Sequence, residues 1–190
     1  MQETKDLTLE VIFEEMGEEI ASYGTIFSFL QLRVSAEHFV VPLCGFAVER
    51  KLQELMPNSF HVAFEKKVRN ISKGPIDLII LPLKEDSNVD WNNPYLFEFK
   101  MVWQGGFSEN ISGIKNDLEK LKGYNRGYVI GVLFAFENIV EWSSYKHEYD
   151  IKKLSERVKK VVPRSIFDGK SYPVSSSEVR GQVKMLVWKS

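Results

Sequence analysis

The sequence predicts an α/β chain of the α+β kind, in which a central mixed sheet is flanked by helices. Three observations predict it. Two stretches before Pro57 carry apolar residues at helical spacing. At Pro57-Asn58-Ser59 the period changes to alternation, and three strand candidates follow in succession. An amphipathic stretch then leads to a segment that is apolar on both faces. A length of 190 residues suits a single domain at about 150 per domain, long enough to bury a sizeable core.

In order along the chain, residues 7–23 place Ile12, Met16, Ile20 and Tyr23 three and four apart, with Glu14, Glu15, Glu18 and Glu19 on the other face; this is an amphipathic helix ending near Gly24. A second helix runs from about Ala36 through Leu43, Phe46, Leu52 and Leu55, bent at Pro42, and must stop before Pro57. Phe60 to Arg69 alternates, Ile76 to Leu83 is almost continuously apolar, and Tyr95 to Trp103 alternates again. Turn residues at 72–75 and 84–94 separate these three as antiparallel neighbours. Ser108 to Lys122 reads as a helix with Ile111, Ile114, Leu118 and Leu121 on one stripe and Gly123 closing it. Gly127 to Phe136 suits a strand covered on both faces. Beyond this α-β-β-β-α-β core, about residues 36–136, lie an N-terminal helical extension (1–35) and a C-terminal extension (137–190). The latter holds a helix around Ile151 to Val161, a loop from Pro163 to Ser177 and a last strand from Gln182 to Trp188.

Composition narrows the function classes. Hydrophobic residues at 44% and charged residues at 27% are ordinary for a globular chain. The longest apolar run, Tyr128 to Phe136, is far short of the roughly 20 residues of a membrane-spanning helix, and no secretory signal precedes the first helix, so the chain reads as cytoplasmic. Cys44 is the only cysteine, which removes intrachain disulfides and thiolate-rich zinc or iron–sulfur sites. There is no P-loop, no Gly-x-Gly-x-x-Gly and no Gly-x-Ser-x-Gly, and His38, His61 and His147 form no metal-ligand spacing. The net charge of −1 hides an asymmetry: residues 1–95 hold 9 Lys and Arg against 15 Asp and Glu, residues 96–190 hold 16 against 11.

The residues that point to chemistry are Asp77, Glu98 and Lys100. Glu98 and Lys100, two apart on a strand, project to one face while Phe97, Phe99 and Met101 anchor the other. Asp77 lies in an otherwise apolar strand, where a lone carboxylate is costly unless compensated. A divalent cation compensates it. Two carboxylates with water suit Mg²⁺, with Mn²⁺ as the substitute. Such an ion activates water and stabilises charge at a phosphodiester, while the lysine ammonium helps position or deprotonate the nucleophile.

On these residues the chain resembles the PD-(D/E)XK phosphodiesterase superfamily of restriction-endonuclease-like nucleases. The resemblance covers roughly residues 45–136. The α-β-β-β-α-β order is that family's core, Asp77 matches its first metal-binding aspartate, and Glu98-Phe99-Lys100 matches its (D/E)XK tripeptide. The chain departs from the pattern in reading Pro-Ile-Asp rather than Pro-Asp. The resemblance implies Asp77 and Glu98 as metal ligands, Lys100 as the catalytic lysine, and Glu49 as the glutamate that members often carry on the preceding helix, with Glu37 and Glu54 as the glutamates that could be confused with it. It implies a Mg²⁺-dependent nuclease, with DNA preferred over RNA, acting as an endonuclease of restriction, defence or repair type. An enzyme that cuts both strands of a two-fold target would act as a homodimer.

Gln104 shares the face of Glu98 and Lys100. Lys115, Lys122 and Arg126 follow on and after the next helix, where the resemblance implies contact with the phosphate backbone and a solvated helix face explains them equally well. Lys152, Lys153, Arg157, Lys159 and Lys160 form a second basic cluster, for which the plain alternative is a solvated helix face. Trp91, Trp103 and the Gly105-Gly106-Phe107 loop could stack on bases or simply join the core. The competing functional class is a non-catalytic nucleic-acid-binding or scaffold protein on the same fold.

Overall fold

The change of period after Pro57 is where helix gives way to sheet. In a computed structural model, which describes residues 8–23, 37–67, 74–103, 106–136, 150–175 and 180–190, α1 (Leu9–Ser22) and α2 (Glu37–Leu55) precede β1 (Phe60–Lys66), β2 (Ile76–Pro82) and β3 (Tyr95–Val102). Next, α3 (Phe107–Lys120) leads to β4 (Gly127–Phe136), and α4 (Ile151–Val161) leads to β5 (Phe167–Ser175) and β6 (Arg180–Lys189).

The strands form one mixed sheet in the order β1-β2-β3-β4-β6-β5. Only β3 and β4 are parallel, because a helix, α3, carries the chain back between them. The other four pairings are antiparallel. Helices cover both faces. On one, Ile12, Phe13, Met16 and Ile20 of α1 and Val40, Cys44 and Val48 of α2 pack on Phe97, Phe99, Met101 and Ile130. On the other, Ile111 and Ile114 of α3 and Ile151, Leu154 and Val158 of α4 pack on Leu96, Val102, Val129 and Trp188. β4, nine of whose ten residues are buried, separates the two cores as its doubly apolar sequence requires.

The spans match the sequence expectations closely. α2 passes through Pro42 without a break, losing one backbone donor in its second turn. Gly123, with φ of 95°, ends the turn after α3 in the left-handed conformation its position suggested. Cys44 is a free, buried thiol, and burial pushes it well above the usual thiol range, which leaves it unreactive.

The expected loop at 163–177 is the main correction, since Phe167–Ser175 is a strand. It occupies the sheet edge, where Pro173 costs no interior ladder bond, and a bulge between Asp168 and Ser171 breaks the alternation that would have revealed it. The segments outside 36–136 are also not appendages. α1 has four fully buried apolar side chains and is clamped to α2 through Arg50, which binds Glu15 at 3.0 Å and Glu19 at 2.7 Å. β6 pairs along the whole of β4 from Tyr128 to Phe136. Among the described residues no helix is long and apolar enough to cross a membrane.

Candidate active site

β2 and β3 pair over only three residues: Leu78 with Phe97, Ile79 with Leu96 and Ile80 with Tyr95. Beyond Leu78 the two strands part, and Asp77 bridges the fork. Its Oδ2 accepts a 2.8 Å hydrogen bond from the backbone N–H of Phe99, which gives the carboxylate a partner and leaves its second oxygen outside that contact. Phe97, Phe99 and Met101 lie in the α1/α2 core while Leu96 and Val102 lie in the α3/α4 core, so the intervening Glu98 and Lys100 face α3.

There the two residues meet side chains that sequence reasoning did not single out. Lys120, the last residue of α3, donates to Glu98 Oε1 and also to the carbonyl of Pro75, 2.7 Å away. Asp117, one turn earlier, places Oδ2 3.4 Å from Lys100 Nζ. Each motif residue of β3 therefore has a counter-charge on α3, in two crossed ion pairs. On the far side, Glu37 at the start of α2 places Oε1 3.4 Å from the same ammonium.

Burial sets the electrostatics. Glu98 is only 3% exposed, and burial, with the Asp77 carboxylate adding to it, pushes its carboxyl up to about 8 against the opposing pull of Lys120. Asp117 is likewise raised by burial, opposed by Lys100 and Lys120. Burial pulls the Lys100 ammonium down, yet Asp117, Glu37 and Asp77 together outweigh it and hold the lysine above its ordinary range.

Asp77, Glu98 and Lys100 thus come together. Glu49 does not join them. It is exposed on α2, twelve residues past Glu37 and so about 18 Å further along the axis at 1.5 Å per residue. The helix meets these residues through its first turn, where Glu37 lies 3.4 Å from Lys100 Nζ. Gln104 and Gly105 lie outside the described residues. Lys115 is exposed on α3, and Lys122 is exposed and paired with Glu119 at 3.2 Å. Arg126 stacks over the Tyr95 ring, 4.4 Å from its centroid, and donates to the Asn93 carbonyl. Trp91 is exposed, Trp103 packs against the α1/α2 core, and Phe107 belongs to the α3/α4 core.

A signal for Asp117 and Lys120 exists in the sequence. Gly113, Asp117 and Lys120 recur at i, i+4 and i+7 beside the apolar stripe of Ile114 and Leu121, a polar flank on a helix that follows the motif strand.

A divalent metal fits these residues as a pair of carboxylates, not as a closed cage. Among the described residues no three His, Cys, Asp or Glu side chains are gathered to hold an ion. Mg²⁺, however, is commonly held by one or two carboxylates, completing its shell with water and substrate phosphate. Asp77 and Glu98 supply oxygen donors of that type, each with one oxygen beyond its contact described above. Compared with known proteins, the chain matches no family model, no curated protein and no solved structure.

Proposed function

We propose that the chain is a Mg²⁺-dependent nuclease of PD-(D/E)XK type that hydrolyses phosphodiester bonds of DNA, with Mn²⁺ able to substitute. The observation that carries this reading is the strand fork: Asp77 sits where β2 leaves β3, beside Glu98 and Lys100, and no sheet-building role calls for three charged groups there. When bound, the ion supplies a water of lowered pKa and positive charge at the phosphate.

The chain's own residues do the rest. Asp77 and Glu98 hold the ion's oxygen shell on the α3 side of the sheet. Lys100, kept cationic by its carboxylate neighbours, adds positive charge beside the reacting phosphate and orients the attacking water. Lys120 and Asp117 keep the opposing charges of β3 from facing a closed core unpaired.

Charge distribution supports a polyanionic substrate. α1 carries five glutamates and no lysine or arginine, and it covers one face of the sheet. α4 carries five lysines and arginines against Glu156, and it covers the other face with α3, the face toward which Glu98 and Lys100 point. The acidic α1 and the basic α4 therefore lie on opposite faces of the sheet, and a duplex would lie along the α4 side.

The crossed ion pairs favour one second reading, a non-catalytic nucleic-acid-binding protein in which Lys120 and Lys100 neutralise the carboxylates permanently. The purified chain, incubated with supercoiled, linear and single-stranded DNA and with RNA in Mg²⁺, Mn²⁺ or EDTA, separates the two. Cleavage that EDTA abolishes supports the nuclease, and DNA binding without cleavage in either metal supports the second reading.

A further inference from the structure

Helix α3 contributes more to the centre than packing. Gly113, Asp117 and Lys120 share one side of it, and all three meet the motif residues of β3. A Cβ on Gly113 would lie 2.9 Å from Lys100 Cδ, so the glycine leaves the room in which the lysine stem lies against the helix. Asp117 receives the ammonium at the end of that stem. Glu37, from the opposite helical layer, approaches the same nitrogen at the same 3.4 Å.

Folding alone gives little reason for this arrangement. Asp117 Oδ2 is shut off from solvent with no hydrogen-bond partner, and the Lys100 ammonium 3.4 Å away is the ion-pair partner that compensates it most closely. Buried ion pairs are commonly no more stabilising than apolar residues of the same volume. A lysine, with its long stem, could also turn its charge to water. We infer that Asp117, with Glu37 as its outer counterpart, is the positioning residue for Lys100: the two carboxylates fix the ammonium from both layers of the fold in the place where it serves phosphodiester cleavage. The inference rests on the nuclease reading and adds to it a residue that lies outside the motif.

The test is steady-state DNA cleavage by wild type, Asp117→Asn and Asp117→Glu, together with the rate at which acetic anhydride labels Lys100 relative to the exposed Lys170, read by mass spectrometry. Asp117→Asn is expected to lower kcat roughly 10- to 100-fold with KM for DNA unchanged, and to label faster at Lys100. Asp117→Glu, which keeps the charge, should retain more activity than the asparagine variant. A kcat for Asp117→Asn equal to wild type, or reduced only in proportion to the unfolded fraction, overturns the inference while leaving the nuclease reading intact. Wild type that cleaves nothing in either metal overturns both, whatever the labelling shows.

Discussion

Replacing Glu98 with glutamine should change the way stability depends on pH in metal-free solution. Glu98 is 3% exposed, and burial beside Asp77 raises its carboxyl from 4.5 to about 8. A carboxyl whose folded value exceeds its unfolded value holds its proton more tightly in the native state. The native state is therefore favoured at low pH, and that advantage is lost as pH rises from about 4.5 through about 8. At about 1.36 kcal/mol per pH unit the full loss is about 5 kcal/mol, of which about 4 kcal/mol falls between pH 5 and pH 9. Glutamine does not ionise, so the variant lacks this loss. Urea unfolding in EDTA at pH 5, 7 and 9 measures it: the unfolding free energy of Glu98→Gln minus that of wild type should grow by about 4 kcal/mol from pH 5 to pH 9. Differences constant to within about 1 kcal/mol would refute the reasoning, since they would mean that Lys120 keeps Glu98 ionised in the fold without net cost.

Other substitutions probe the same network and the surface around it. Lys120→Met removes the counter-charge of Glu98 and the hydrogen bond to Pro75, and it should destabilise the chain by about 1 kcal/mol more at pH 9 than at pH 5, where Glu98 is protonated in both proteins; urea titrations at both values check this. Gly113→Ala should lower cleavage, because the new methyl takes the room of the Lys100 stem, and should also lower thermal stability, because moving the ammonium off the buried Asp117 costs more than the helix propensity gained, about 1 kcal/mol. Combined neutralisation of Lys152, Lys153 and Lys160, all exposed on α4, should reduce the slope of log binding constant against log salt by about 0.9 per cation, measured by fluorescence anisotropy on duplex DNA in EDTA. An unchanged slope would place the duplex elsewhere.

Much of this architecture is legible in the sequence because burial writes a period into it. The alternation of Tyr95 to Val102 and the doubly apolar run of Gly127–Phe136 mark two strands, and both stand where expected; β3, like β4, is covered on both faces, and its alternation comes from the charges of Glu98 and Lys100. β5 was hidden because an edge strand buries only one side, and its bulge and Pro173 disrupt even that pattern. Of the candidate site, Asp77, Glu98 and Lys100 were visible as charges in apolar company. Asp117 and Lys120 were not, since on a helix with polar neighbours nothing local distinguishes a carboxylate that turns inward from one that is solvated. That Glu37, and not Glu49, lies beside Lys100 has a geometric origin: the period of α2 tells which face is buried but not which turn lies over the strand fork, and that is set by the crossing of α2 over the sheet.

The central claim is that the charges at the strand fork perform metal-dependent phosphodiester cleavage. The most direct measurement is the rate of nicking of supercoiled plasmid in Mg²⁺ by wild type, Asp77→Ala and Lys100→Ala, each shown to be folded by its thermal transition. The account predicts nicking by wild type and its loss in both variants. Equal nicking by all three folded proteins would contradict it and would place any cleavage outside this site.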